Sequence, residues 1–211
     1  MLSDARLYVI SAEGPPEDQV SILCAAVDGG AGIVQLRNKT APAAALVSAA
    51  RRLTAYCRPR GVPVIVNDHL DVAIDAEADG VHLGQDDLDI VEARRRWQPG
   101  GLVGRSTHSL DQALAASAAG ADYLGVGPVF ATPTKPGRPA VGTELVAEVA
   151  AAGIEIPWFA IGGIDAGSID TVLAAGARRV AVVRAVCAVA DPAAAAAELK
   201  ARLGAPVGGP A

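Results

Sequence analysis

The chain alternates. Eight short runs rich in Val, Ile and Leu are each followed, after a polar turn, by a helix-like stretch. Short β-branched runs bounded by turn residues read as buried strands. Strands that alternate strictly with helices pair in parallel through crossover connections. The plainest instance is Val62-Pro63-Val64-Ile65-Val66-Asn67-Asp68, a helical segment over 70–77, and then Ala78-Asp79-Gly80-Val81-His82-Leu83-Gly84-Gln85-Asp86-Asp87. This is a β-α-β unit. Its two strands lie side by side, about 4.8 Å apart, so Asn67-Asp68 and Asp86-Asp87 emerge at the same sheet edge. Asp68 and Asp87 are then placed to share one cation. The competing reading makes each the cap of the helix after it, a role Asp fills well.

The other strands are expected over 6–10, 32–37, 102–105, 122–126, 156–161 and 179–183, and the other helices over 17–28, 42–57, 88–97, 110–119, 143–152, 166–175 and 192–203. Eight such units favour closure into an α/β fold of one domain, a (β/α)8 TIM barrel over 1–203, with a Gly-, Pro- and Ala-rich flexible tail over 204–211. Gly29-Gly30, Ala119-Gly120 and Ala175-Gly176 each join a helix to the next strand, where glycine suits a left-handed helix end. An open doubly wound sheet is the structural alternative. It would want a GxGxxG turn after the first strand, and Ser11-Ala12-Glu13-Gly14-Pro15-Pro16 is not one.

With 211 residues, 51% of them hydrophobic, the chain can bury one sizeable core. Its net charge of −5, its pI near 5.2 and its few aromatic residues leave no basic stripe and little to stack on bases, which argues against a nucleic-acid partner. No apolar run approaches the ~18 residues of a membrane span. The first residues lead directly into a strand with no basic leader, so the cytoplasm is the expected compartment. Cys24, Cys57 and Cys187 are widely spaced and odd in number, and read as small buried residues rather than disulfide or zinc ligands. A homo-oligomer is left open.

Barrel chemistry sits at the C-terminal ends of the strands. The second strand ends in Gln35-Leu36-Arg37-Asn38-Lys39, and alternation turns Gln35 and Arg37 toward the barrel mouth. An inward Arg needs an anion or an internal salt bridge with a neighbouring Asp. Asp68 and Asp87 offer oxygen-only ligands of the kind Mg²⁺ takes with water and phosphate. His69, His82 and His108 lack metal-ligand spacing, and His82 also fits an inward-facing core position. Ser106 and Ser109 follow the fifth strand, where either also reads as a helix cap. The long loop over 130–142 carries Thr132, Thr134, Lys135 and Arg138, and reads as an anion-gripping flap. Gly162-Gly163 and Val183-Arg184 end the last two strands, where barrels often cradle a phosphate. No nucleophile signature stands out.

Taken together, Gln35-Leu36-Arg37-Asn38-Lys39, Asn67-Asp68, the stretch from Ala78 to Asp87, Ser106-Thr107-His108, Gly125-Val126-Gly127-Pro128-Val129-Phe130 with Thr132-Pro133-Thr134-Lys135, and Ala160-Ile161-Gly162-Gly163-Ile164 are similar to the motifs of thiamine phosphate synthases. The resemblance runs along nearly the whole chain. It implies a transferase of thiamine biosynthesis. Such an enzyme joins 4-amino-2-methyl-5-hydroxymethylpyrimidine diphosphate to 4-methyl-5-hydroxyethylthiazole phosphate, two small-molecule substrates, and releases diphosphate. It further implies Asp68 and Asp87 as Mg²⁺ ligands, and Gln35, Arg37, Asn38, Lys39, Asn67, Ser106 and Lys135 as contacts of the pyrimidine diphosphate. Ser106, Lys135 and Arg37 are the catalytic group among these. Thr132, Thr134, Gly163, Val183 and Arg184 are implied at the thiazole phosphate. Two positions depart from the family pattern: Asn38 stands where an acidic residue is frequent, and Arg184 where a small Ser is frequent. The rivals are a thiazole tautomerase barrel, a sugar-phosphate isomerase or epimerase, and a non-catalytic ligand-sensing barrel. The retained Asp68, Asp87, Arg37 and Lys135 argue against the first and the last.

Overall fold

Eight parallel strands close on themselves, each bonded to its sequence neighbours and the first to the eighth. In chain order the elements are β1 (Leu7–Ile10), α1 (Pro16–Asp28), β2 (Ile33–Leu36), α2 (Ala43–Cys57), β3 (Val64–Asn67), α3 (Leu70–Asp75), β4 (Gly80–Leu83), α4 (Ile90–Arg96), β5 (Leu102–Thr107), α5 (Leu110–Ala118), β6 (Tyr123–Val126), α6 (Gly142–Ala151), β7 (Trp158–Ile161), α7 (Ile169–Ala174), β8 (Val180–Val182), α8 (Arg184–Cys187) and α9 (Pro192–Gly204). The computed structural model describes residues 2, 4–97, 100–132 and 139–204. The expected (β/α)8 barrel is the fold, and the open-sheet alternative is excluded by the pairing of β1 with β8. Among the described residues, no helix is long and apolar enough to cross a membrane.

Most element ends fall within three residues of the sequence reading, and three points need comment. β5 runs on through Ser106 and Thr107, which pair with Gly125 and Val126, so Ser106 is a strand residue and not the start of a loop. Its polar side chain hid the strand's end because it faces the barrel interior rather than the apolar helix layer. α8 was not anticipated, since four residues are too few to show a helical period. Gly204 closes α9 instead of opening a tail, and 205–211 lie outside the described residues.

Alternation along each strand divides the apolar residues into two cores. Val9, Val34, Leu36, Val64 and Val66 face outward and pack beneath the helices. Tyr8, Ile10, Ile33, Ile65, Tyr123 and Phe159 face inward and fill the barrel. Three of these rings form an edge-to-face triangle: Tyr8–Tyr123 centroids are 5.8 Å apart, Tyr8–Phe159 5.3 Å and Tyr123–Phe159 6.0 Å. Geometry of this kind adds to area burial. Strand ends are pinned by carboxylates: Asp79 accepts from the Val64 N–H at 2.8 Å, and Asp122 from the Val103 N–H at 2.6 Å. Of the helix-to-strand glycines, Gly120 and Gly176 take φ of 90° and 103°, the left-handed turn foreseen for them. Cys57 and Cys187 are buried and Cys24 partly so, all three as free thiols.

The triangle depends on a missing side chain. A Cβ on Gly104 would stand 2.1 Å from the Tyr123 ring. That ring is wholly buried and held on two sides. Gly104→Ala is therefore expected to overpack the interior by about 1–3 kcal/mol. Thermal melting should show a fall of about 5 °C; an unchanged midpoint would mean the ring has room to move.

Candidate active site

The C-terminal barrel end is built from strand ends that turn abruptly. After β3 the backbone of Asp68 enters the left-handed region at φ 62°. Its N–H donates to the His82 carbonyl at 2.9 Å, and the next N–H, of His69, donates back to Asn67 at 2.7 Å. The β4–α4 loop brings Asp87 to meet it. The Asp87 carboxylate accepts from the Gly84 N–H at 2.6 Å, and the two carboxyl groups are hydrogen-bonded to each other. Burial pushes Asp68 up, and the adjoining Asp87 adds to the rise against the pull of the Lys39 charge. Burial also acts to raise Asp87. It is outweighed by hydrogen bonds from Asp68 and the Gly84 N–H and by the charges of Lys39 and Arg105, so Asp87 is lowered. Of the two, Asp68 is thus the acid that holds a proton more readily and Asp87 the one that gives it up more readily.

The helix-cap reading of these two acids does not hold. Asp89 caps α4, accepting from the Glu92 N–H at 2.8 Å. No side chain caps α3. Two carboxyl groups this close together form a site short of positive charge, and their oxygen-only donors suit a hard cation such as Mg²⁺. Asp68, His69 and His82 do not gather as a metal-binding cluster. Among the described residues, no three His, Cys, Asp or Glu come together as a metal cage.

The cationic side is carried by β2 and its loop. Lys39 Nζ lies 3.7 Å from the Asp68 carboxylate. Arg37 is 6% exposed and bonded at 2.6 Å to Glu13 in the β1–α1 loop, so its internal partner is a Glu rather than an Asp. Gln35 turns into the barrel, with its amide nitrogen 2.5 Å from the Tyr8 hydroxyl. The Asn38 side chain is engaged by the chain itself. It donates to the Gly14 carbonyl at 2.7 Å and accepts from the N–H groups of Thr40 and Ala41 at 2.9 and 2.6 Å, clasping the two loops together.

Beside this lies a cavity of about 340 Å³ whose wall includes Ser106, Thr132, Gly163, Val183 and Arg184. Four of the five residues implied at the thiazole phosphate are thus gathered on one cavity with Ser106. Thr134 and Lys135 lie outside the described residues. Gly163, at φ 65°, is the close point of two loops. A Cβ there would meet the Phe130 Cβ at 2.8 Å and the Ala131 carbonyl oxygen at 3.0 Å. The same loops are stitched by the Val129 and Phe130 N–H groups donating to Ile161 and Gly162 at 2.8 and 2.9 Å. Ser106 is 8% exposed and bonded to His82, whereas Ser109 caps α5 by accepting from the Gln112 N–H at 3.2 Å.

Several neighbours escaped the sequence reading. Arg105 grips the Leu88 and Gln85 carbonyls at 2.8 and 3.2 Å and so shapes the loop that carries Asp87. Gln85 in turn donates to the Ser106 carbonyl at 2.5 Å. Glu13 comes from a loop without periodicity. Tyr8 and Tyr123 had a usable signal: alternation turns both inward, and a buried hydroxyl demands a partner.

Known proteins are similar to this chain along most of its length. The model of the thiamine monophosphate synthase family matches residues 7–186. A thiamine-phosphate synthase of Thermus thermophilus is 52% identical over 201 residues, covering 94% of this chain and 97% of that one. One from Gloeobacter violaceus is 49% identical over 191 residues, covering 90% of this chain, which spans only 55% of that relative's length. The solved thiamine phosphate pyrophosphorylase of Pyrococcus furiosus superposes with a TM-score of 0.86 at 34% identity, covering 94% of this chain and 95% of that one. By the family match and the identity over nearly its whole length, the chain belongs to the thiamine monophosphate synthase family.

Proposed function

We propose that the chain is a thiamine phosphate synthase, a transferase that joins 4-amino-2-methyl-5-hydroxymethylpyrimidine diphosphate to 4-methyl-5-hydroxyethylthiazole phosphate. The observation that carries the reading is the charge layout at one barrel end. A close carboxylate pair flanked by Lys39 stands at β3 and β4, with buried Arg37 at β2 and, beside them, a cavity whose wall includes Ser106, Gly163 and Arg184. One half suits a cation-bound diphosphate and the other a second, uncharged ring with its phosphate.

The bond between the pyrimidine methylene and the diphosphate oxygen breaks, and its electron pair leaves with the diphosphate. The thiazole nitrogen then gives its lone pair to the methylene, forming the new C–N bond. No proton has to be removed, so the step calls for no general base. Asp68 and Asp87 would hold Mg²⁺, which supplies positive charge to the departing diphosphate when bound. Arg37, Lys39 and Lys135 bind and orient the diphosphate oxygens. Gln35, Asn38, Asn67 and Ser106 serve the pyrimidine side, directly or by shaping its loops. Thr132, Thr134, Gly163 and the Val183-Arg184 backbone hold the thiazole phosphate, and the Arg184 guanidinium adds a cation to that cradle.

The test is direct. Purified protein mixed with both phosphorylated heterocycles and Mg²⁺ should yield thiamine phosphate and diphosphate in equal amounts, with little product after the metal is chelated. Absence of product with Mg²⁺ present would sink the reading.

A further inference from the structure

One hydrogen-bonded chain crosses the barrel interior and joins Gln35 to Ser106 through three residues to which the reaction just described gives no role. The Gln35 amide nitrogen lies 2.5 Å from the Tyr8 hydroxyl, and that hydroxyl is 3.0 Å from the Tyr123 hydroxyl. The Tyr123 hydroxyl lies 3.2 Å from His82 Nδ1, and His82 Nε2 is 2.9 Å from Ser106 Oγ. The five residues come from β2, β1, β6, β4 and β5, and each is at most 8% exposed. Ser106 ends the chain at the cavity wall.

The direction of the chain follows from counting protons. An amide nitrogen only donates, so Tyr8 accepts from Gln35. The Tyr8 proton then goes to Tyr123, because the Tyr8 hydroxyl has no third partner among the described residues. Tyr123 in turn passes its own proton to His82 Nδ1. That nitrogen must keep its lone pair, so the ring is neutral with its proton on Nε2, and it donates to Ser106. Burial drives both tyrosines upward, so neither gives way to a phenolate. Ser106 Oγ then accepts from His82 and, among the described residues, keeps its own proton for the cavity.

We infer that His82 is a positioning residue: kept neutral by Tyr123, it turns the Ser106 hydroxyl to donate to a lone-pair acceptor of the pyrimidine, where that ring borders the cavity. The chemical meaning rests on the reaction proposed above, although the geometry does not. In that reaction positive charge develops on a methylene. An imidazolium beside it would oppose the charge, and a neutral, fixed tautomer does not. The ligand group is a ring nitrogen of the azine type, which an alcohol donor serves without transferring a proton.

Two measurements test this. The chain has three histidines, so ¹⁵N-histidine NMR with His69→Gln and His108→Gln variants assigns His82. The expected result is an unprotonated Nδ1 and a protonated Nε2. The opposite tautomer, or a doubly protonated ring, overturns the inference. The second measurement is a kinetic cycle. Tyr123→Phe should lower kcat about tenfold with both KM values held within about twofold, as for one misdirected hydrogen bond. Ser106→Ala combined with Tyr123→Phe should be no slower than Ser106→Ala alone, because Tyr123 acts through Ser106. Independent, multiplying losses overturn the inference. Tyr8→Phe, which keeps the ring triangle, replaces Tyr123→Phe if that variant does not fold. A wild-type protein that forms no thiamine phosphate refutes the proposed reaction, and the tautomer then decides the chain by itself.

Discussion

Asp87→Asn is expected to lower kcat about a thousandfold and to abolish the response to added Mg²⁺, the scale of losing a metal's charge at a leaving group. The substitution is close to isosteric. Its amide oxygen can still accept from the Gly84 N–H, which Asp87 now does at 2.6 Å. The loop should keep its shape, and thermal melting should move little. What changes is charge, because Asp87 is the member of the pair whose carboxyl is held below its usual range. Initial rates measured across a Mg²⁺ series check this, with Asp86→Asn as a near-wild-type control. A variant that keeps full rate and full Mg²⁺ dependence would remove the metal assignment from Asp87 and leave the pair a structural contact.

Arg37→Met is expected to lower kcat/KM for the pyrimidine diphosphate by about 100–1,000-fold, as when a buried charge-assisted contact to a phosphate is lost. Methionine retains the buried stem, so the barrel wall stays filled. The abandoned partner, Glu13, has a side chain 53% exposed and is readily hydrated, so the fold tolerates the change. In the free protein Arg37 is bonded to Glu13. On the proposed reading, diphosphate has to draw the guanidinium away or share it. Steady-state kinetics with each substrate varied in turn separate the outcomes. KM for the pyrimidine diphosphate should rise while that for the thiazole phosphate shifts by less than about threefold. Equal effects on both substrates would place Arg37 in the scaffold instead.

How far the site was legible depended on what kind of contact each residue makes. Asp68 and Asp87 lie at the ends of sequential parallel strands, and a β-α-β unit fixes that neighbourhood locally. Their meeting was accessible from spacing alone, and the hydrogen bond between them agrees. The gathering of Ser106 with Thr132, Gly163, Val183 and Arg184 needed only the rule that strand ends share one barrel face. Contacts that cross the barrel were not legible. Tyr8 meets Tyr123 through ring closure, and their strands are not adjacent in the sheet. Glu13 could not be matched to Arg37, because nothing periodic places a residue of the β1–α1 loop. The fifth strand was cut short because Ser106 and Thr107 look like loop residues, yet their ladder partners are the small Gly125 and Val126.

The left-handed backbone at Asp68 has an evolutionary edge to it. A side chain at φ 62° carries a steric cost of up to about 1 kcal/mol that glycine would not. The fold and the chemistry therefore prefer different residues at one position. A laboratory selection that rewards heat resistance and ignores turnover would drift toward Gly at 68, yielding a sturdier barrel that has discarded a carboxylate of its own site. Stabilising this protein without disarming it means holding that residue fixed and looking for gains elsewhere.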